Sequence, residues 1–363
     1  MKKIITFGEI MGRFAPVGNA RFRQSMPGTM EITFAGAEAN VAASIAMLGG
    51  NASFISALPD HTIADACVFT LKGLGVDVQH VLRIPAGRLG LYFLETGANQ
   101  RPSQVIYDRE YSSISMTESD QYPWKSIFKD ADWFHTTGIT AALSEQAAKA
   151  VLTAVREAKE NDLMVSCDLN FRKKLWRWDP SCSPRELAEK TMRSLLPYVD
   201  VVIANEEDAA DVLSIHAPET DVEAGQLSID KYPSVAQEIL HQFDNVSKVA
   251  ITLRESITAS HNNWGAMLYD AKTEQAFFAP VRDGRYQPYA IKNIVDRVGG
   301  GDSFAAGLVF ALTTDELSDS QTALNFAVAA SCLAHSIAGD FNFSSRKEVE
   351  ALMRGSGSGR VVR

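Results

Sequence analysis

Short apolar runs alternate along the chain with longer stretches whose apolar residues recur every three or four positions. The runs cover residues 4–7, 53–58, 164–167, 199–204 and 249–251. Helical patterns lie between them. Residues 39–48 put Val41, Ile45 and Leu48 on one face and stop at Gly49-Gly50, and residues 144–159 begin at Ser144, a suitable N-cap. Strand, helix, strand in repetition makes βαβ units, so the pattern predicts an α/β fold with a mostly parallel sheet flanked by helices on both faces. Four of the runs end at glycine or a polar residue: Gly8, Asp168 with Asn170, Asn205, and Thr252. Ligands of open α/β sheets bind outside the carboxyl ends of the strands, which predicts that these ends converge on one crevice. The plainer reading is that strands simply end at polar loops.

Residues 13–34 and 86–115 break the alternation. Residues 90–96 and 103–107 read as two strands joined by the turn-rich Gly97-Ala98-Asn99-Gln100-Arg101-Pro102, a hairpin suited to serve as a lid. The expected organisation is one α/β domain over residues 1–363 with a small β lid formed by these two insertions. Residues 214–233 are polar and weakly periodic and read as a surface loop. The tail Gly355-Ser356-Gly357-Ser358-Gly359 is linker-like. No internal repeat is evident.

Chemistry concentrates in Asp296-Arg297-Val298-Gly299-Gly300-Gly301-Asp302, followed at once by the helical pattern of Phe304, Leu308 and Ala311. Three residues without Cβ let backbone N–H groups turn toward one point, and the new helix adds its positive end, which together favour a polyanion such as phosphate. An acid there would repel that ligand unless it acts as a base, so Asp302 is the candidate to take a proton from a hydroxyl attacking phosphorus. The alternative is structural, with Asp302 an N-cap and the glycines a turn.

Composition narrows the class. At 363 residues with 46% hydrophobic content, the chain can build one large packed domain or two. A net charge of -9 argues against nucleic acid or an anionic membrane surface as partner. No apolar run approaches the ~20 residues of a membrane span. The first residues, Met1 to Gly8, are too briefly apolar for a signal peptide and read as a strand. The four cysteines, Cys67, Cys167, Cys182 and Cys332, lie far apart and are expected to be reduced, in a cytoplasmic enzyme.

Distant motifs then coincide. Ala35-Gly36-Ala37-Glu38-Ala39-Asn40-Val41-Ala42 is similar to the Gly-Gly-Ala-Pro-Ala-Asn pattern of ribokinase-like (PfkB-type) sugar kinases, and the segment from Asp296 to Gly307 resembles that family's Asp-Thr-x-Gly-Ala-Gly-Asp-x-Phe pattern. Asn205-Glu206-Glu207-Asp208 resembles its Asn-x-x-Glu motif. Gly8-Glu9-Ile10-Met11, the Ala-Glu-Ala-Asn form, Tyr107-Asp108-Arg109, Asp168-Leu169-Asn170-Phe171-Arg172-Lys173 and Gly339-Asp340-Phe341-Asn342 look like the 2-keto-3-deoxygluconate kinases within it.

The resemblance implies a ribokinase-like fold and phosphorylation of a sugar acid by ATP with Mg2+, with a monovalent cation as a further candidate. It implies that Gly36, Asn40, Tyr92, Tyr107, Arg109 and Arg172 contact the sugar acid and that Gly299, Gly300 and Gly301 cradle the transferring phosphate. Asp302 is the implied base. Asn205, Thr252, Gly299 and Gly301 would meet the nucleotide, and Asn205 and Asp208 the metal through water. A C1 carboxylate calls for planar cationic donors, which arginine supplies better than lysine. Each residue has a blander reading: Arg109 in a surface ion pair with Asp108 or Glu110, Asn40 as an N-cap, Arg172 within the basic run Arg172-Lys173-Lys174.

Several positions depart from the family pattern. Arg297 stands for threonine, Gly300 for alanine, Glu38 for proline and Asp208 for glutamate, while Leu253-Arg254-Glu255-Ser256 stands where a glycine-rich turn is usual. The reading is a kinase acting on 2-keto-3-deoxygluconate, paired through its lid into a homodimer. A neutral-sugar kinase such as a fructokinase is the alternative, and a silent sugar-binding regulator a more distant one.

Overall fold

The computed structural model describes residues 1–205, 207–216 and 229–355. Strands β1 (Lys3–Phe7), β2 (Met11–Ala15), β3 (Glu31–Ala35), β4 (Asn51–Pro59) and β5 (Val81–Ile84) come first. They are followed by β6 (Gly90–Glu95), β7 (Gln104–Asp108), β8 (Trp133–Thr137), β9 (Met164–Asp168) and β10 (Val201–Ala204). Then come β11 (Lys248–Thr258), β12 (His261–Asp270) and β13 (Gln275–Ala279). The large sheet runs β13-β12-β11-β10-β9-β8-β1-β4-β5, with Tyr289–Ile291 paired to β12. From β5 to β11 every pairing is parallel, and β11, β12 and β13 continue antiparallel.

The parallel strands are buried on both faces, which is why they read as continuous apolar runs. Helices Ala37–Met47, Thr62–Gly73, Gly300–Leu312 and Ser320–Ala334 contribute to one apolar core. Glu145–Glu160, Pro184–Leu195 and Tyr232–Gln242 contribute to the other. This is the α/β architecture that the apolar pattern predicts, a mostly parallel sheet with helices on both faces. Ser144 caps its helix by accepting the Ala147 N–H at 3.0 Å.

Strand β8 escapes the apolar pattern because His135, Thr136 and Thr137 occupy most of it. All three are buried. His135 Nδ1 and Trp133 Nε1 each lie 2.8 Å from Ser166 Oγ, and Thr136 donates to the Phe7 carbonyl. Burial holds the His135 ring near a pKa of about 3, so it stays neutral.

A second, four-stranded sheet in the order β3-β2-β6-β7 is built from the two stretches that interrupt the alternation, and it spans Met11 to Asp108. β6 and β7 are antiparallel, and Ala98 and Arg101 close the turn between them. The polar stretch 214–233 is shorter as a loop than expected, because Ile229–Lys231 forms a 3-10 turn and a helix starts at Tyr232. Residues 217–228 of that stretch, Glu206 and the tail from Ser356 lie outside the described residues. Among the described residues no helix is long and apolar enough to cross a membrane.

Candidate active site

A cavity of about 370 Å³ opens at the carboxyl ends of β9 and β10, under the small sheet and beside the start of the Gly300–Leu312 helix. Every residue singled out from the sequence as a site candidate lines it: Gly36, Asn40, Tyr92, Tyr107, Arg109, Arg172, Asn205, Asp208, Thr252, Gly299, Gly300, Gly301 and Asp302. Two of the four polar strand ends behave differently from expectation. Gly8 does not line the cavity; it lies beneath it, and a Cβ there would sit 2.0 Å from Glu38 Oε2. Thr252 lines the cavity but does not end its strand, since β11 continues to Thr258.

The three glycines are not equivalent. Gly299 alone takes a left-handed conformation (φ 81°), and it caps the helix; a Cβ there would meet the Asp340 carbonyl at 2.4 Å. Gly300 and Gly301 already belong to the first helical turn, and the space beside Gly301 is open. Of the three, only Gly299 therefore needs to be glycine for its backbone, while the open space at Gly301 leaves room beside the positive helix end.

Asp302 is the third residue of that helix and is not its cap. Its carboxylate accepts from Asn40 Nδ2 at 2.7 Å. Asn40 is no N-cap either. Its Oδ1 accepts the Gly36 N–H at 3.2 Å, which turns the amide NH2 toward Asp302. Gly36 has extended backbone, and its missing Cβ leaves room for the Glu9 carbonyl, 1.9 Å from where that atom would stand. Burial raises Asp302 to a pKa of about 6; the Asn40 hydrogen bond and the charge of Arg172 oppose it, and Asp340 adds to it.

On the floor, Asp208 accepts the Phe171 N–H and the Asn205 N–H, each at 2.9 Å, and Asn205 Oδ1 accepts from Glu207 and Asp208 N–H groups. These bonds lock the ends of β9 and β10 together. Burial raises the carboxyls of both Asp168 and Asp208, and the neighbouring charge of Asp208 raises Asp168 further. Beneath them Glu38 is also buried. Its Oε1 accepts from the Thr137 N–H and from the hydroxyls of Thr137 and Thr140, while burial brings its pKa to about 7.

The small sheet supplies the facing wall. Arg109 is buried, 7% exposed, and lies over the Tyr107 ring. It pairs with Glu9, its Nε at 2.7 Å from Oε2, and not with Asp108, which pairs at the surface with Arg88. The surface ion-pair reading of Arg109 is thus overturned. Tyr92 reaches the cavity with its ring, but its hydroxyl donates to Asp340 at 2.7 Å and is not free to face a polyol. Asp340 also pairs with Arg13, which pairs in turn with Asp296. Arg172 is exposed at the cavity rim, and its Nη1 donates to the Phe171 carbonyl.

Glu9, Arg13, Glu38, Asp340, Arg254 and Arg297 line or brace the site without having been assigned a role from the sequence. The available signal was a charge embedded in a buried or apolar segment, as at Glu9 and Glu38; their partners are too distant in the chain to be read.

The pfkB family carbohydrate kinase model matches residues 1–344. The chain is 31% identical over 357 residues to a 2-dehydro-3-deoxygalactonokinase of Haloferax volcanii, covering 98% of each protein. It is 29% identical over 324 residues to a 2-dehydro-3-deoxygluconokinase of Thermoproteus tenax, covering 88% of this chain and 85% of that one. Its structure aligns with a crystal structure of 2-dehydro-3-deoxygluconokinase from Thermotoga maritima at a TM-score of 0.88 and 40% identity, over 98% of this chain and 100% of the other.

Proposed function

The chain belongs to the pfkB family of carbohydrate kinases, and from that premise we propose that it transfers the terminal phosphoryl group of ATP to a hydroxyl of a 2-keto-3-deoxy sugar acid, 2-keto-3-deoxygluconate foremost, giving the 6-phosphate. The observation that carries the proposal is one cavity holding both Asp302, beside a glycine-lined helix end, and the cationic pair Arg109 and Arg172. Asp302 takes the proton of the attacking hydroxyl. Asn40 holds its carboxylate in place, and a pKa of about 6 makes it a stronger base than an ordinary carboxylate while leaving it ionised at neutral pH. N–H groups of the Gly299, Gly300 and Gly301 segment and the helix end stabilise the charge on the transferring group. Arg109 and Arg172 bind the C1 carboxylate, with Tyr107 and Gly36 shaping the sugar pocket.

Magnesium fits as a hydrated ion. Among the described residues no group of three His, Cys, Asp or Glu could cage a metal. Asp208 gives one lone pair of each carboxylate oxygen to a backbone amide and keeps the rest, which suits contact through water. Asn205 Oδ1 already accepts two backbone N–H groups and leaves only its NH2 to turn to a phosphate or a bound water. When bound, the ion offsets charge on the nucleotide phosphates. The small sheet acts as the lid. Its outer residues Ile32 and Ile106 are 62% and 55% exposed, which supports pairing of two lids in a homodimer.

One observation favours a second reading. Glu9 neutralises much of Arg109, and a neutral-sugar kinase needs no carboxylate clamp. Steady-state rates on 2-keto-3-deoxygluconate, 2-keto-3-deoxygalactonate and fructose decide between them. A kcat/KM at least about tenfold higher for the keto-acids is expected from one charge-assisted contact; faster turnover of fructose would overturn the sugar-acid reading.

A further inference from the structure

Arg13 stands in the middle of β2, in register with Thr33 of β3 and Tyr92 of β6, and it is buried. Its guanidinium leaves the small sheet and ends between two acids from distant loops, Nη2 on Asp296 and Nη1 on Asp340. Those two acids support the Gly299 turn. Asp296 Oδ1 accepts the Val298 N–H at 3.1 Å, one residue before Gly299, and Asp296 Oδ2 accepts the Gly339 N–H at 3.3 Å. The Asp340 carbonyl in turn fills the place that a Gly299 side chain would need. Residues 296–299 and 339–340 are thus held together around the left-handed residue that starts the helix, and Arg13 fastens both to the lid.

Both acids are buried. Burial raises the Asp340 carboxyl; the charge of Arg13 and the Tyr92 hydrogen bond oppose that, and Asp296 adds to it. Burial also lowers the Arg13 guanidinium, but Asp340, Tyr92 and Asp296 outweigh it and hold the group above its ordinary range. Removing one partner from such a group leaves the others as uncompensated buried charge. Without Arg13 the two carboxylates would repel each other across the turn, and Asp340 lines the cavity where a phosphate is to bind. Lid docking has other anchors, because Arg109 pairs with Glu9 and the Ala259 N–H donates to the Asn99 carbonyl at 2.7 Å. Arg13 and Asp296 also line a second cavity, about 870 Å³, which shares no lining residue with the first. A small cation can therefore reach the place of a shortened Arg13.

We propose that Arg13 is a positioning residue for phosphoryl transfer: its guanidinium locks the Gly299 turn, and with it the start of the Gly300–Leu312 helix, in the form that receives the transferring phosphate. It touches neither substrate nor reacting atoms and acts through Asp296 and Asp340. The inference rests on the kinase reading of the site and adds to it the side chain that couples the lid to the phosphate-binding turn. A planar fork suits this task, since it meets two carboxylates from two directions at once.

Two measurements on the full chain test this, with Arg13→Ala and Arg13→Lys: steady-state kinetics with ATP and the sugar panel, and amide hydrogen exchange of the protein without ligand. In the folded Ala variant kcat is expected to fall about tenfold or more, as for a lost charge-assisted hydrogen bond, with a smaller change in KM for the sugar acid. Guanidinium ion at millimolar concentration should return part of that loss and leave wild type unaffected, and Lys should lie between the two. Amides of residues 298–301 should exchange faster in the Ala variant, while those of β6 and β7 keep the wild-type rate. Wild-type kcat in a folded Ala variant overturns the proposal. So does a loss that guanidinium does not reduce, or faster exchange spread over the small sheet with residues 298–301 unchanged, either of which makes Arg13 a docking contact only. If the Ala variant does not fold, the Lys variant carries the test, and wild-type kcat and exchange in it overturn the fork. Should wild type phosphorylate no sugar of the panel, the kinase reading falls, and exchange at residues 298–301 still decides whether Arg13 holds the turn.

Discussion

On the floor of the cavity, Asp208 is held by the backbone N–H groups of Asn205 and Phe171, and Asp168 by that of Asn170. On the small-sheet wall, by contrast, Arg13 is held by the carboxylates of Asp296 and Asp340, and Arg109 by Glu9. The floor's anchors are backbone groups at the ends of strands already locked in the large sheet. The wall's anchors are side chains on other elements, formed only when the small sheet docks. On the proposed function, the floor that would serve proton transfer is anchored mainly without the lid, whereas recognition of an acid group by Arg109 would depend on the lid's position. The two regions should fail differently when cut.

The largest expected effect belongs to the floor. Asp302→Asn removes the proton acceptor while keeping the size and the partner Asn40, so kcat should fall by roughly 10²–10⁴ with sugar binding and melting temperature close to wild type. Rapid-quench measurement of the transfer step and calorimetric sugar binding check both halves. Full turnover by the asparagine variant would leave Asp302 with no catalytic role.

A smaller effect, of a different kind, is expected on the wall. Replacing Arg109 or Arg172 by Met keeps the apolar stem and removes charge-assisted hydrogen bonds worth about 1.5–3 kcal/mol each, or about one to two decades in kcat/KM. The loss should fall on the keto-acid and largely spare fructose, so the ratio of the two collapses. Arg172, exposed at the rim, should give the smaller change. Equal losses on both sugars would mean that these arginines hold the lid rather than choose the substrate, and the contrast between floor and wall would weaken.

The same contrast explains what could be read in advance. The parallel strands and the convergence of Asp168, Asn205 and Asp302 were legible because apolar runs and polar strand ends are local signals. Strand β8 was hidden because His135, Thr136 and Thr137 are polar residues whose partners, Ser166, the Phe7 carbonyl and Glu38, lie far away in the chain. The hairpin beyond Thr252 was hidden because Arg254, Glu255 and Ser256 carry no apolar pattern; its register comes from pairing with Trp264, Asn263 and Asn262. Three adjacent glycines look alike in a sequence, and only the tertiary contact with Asp340 assigns the left-handed turn to Gly299. The role of Tyr92 changed for the same reason, since Asp340 lies far along the chain.

The finest test concerns protons on the floor, where burial raises Asp302 to about 6 and Glu38 to about 7, alongside the raised Asp168 and Asp208. Only ionised Asp302 can accept a proton. As pH falls through its pKa the active fraction drops, so kcat/KM should be level near neutrality and decline about tenfold per unit below pH 6. An ordinary carboxylate would move that limb close to pH 4. Around pH 6 Glu38 is still mostly protonated, and its charge is not yet felt by Asp302. Glu38→Gln, which keeps an acceptor for Thr137 and Thr140, should therefore leave the acid limb in place. The measurement is a pH profile of kcat/KM for wild type and the glutamine variant, with melting temperature followed in parallel. A limb that moves with Glu38→Gln would show that one proton is shared between the two acids, and the base would then be the pair rather than Asp302 alone.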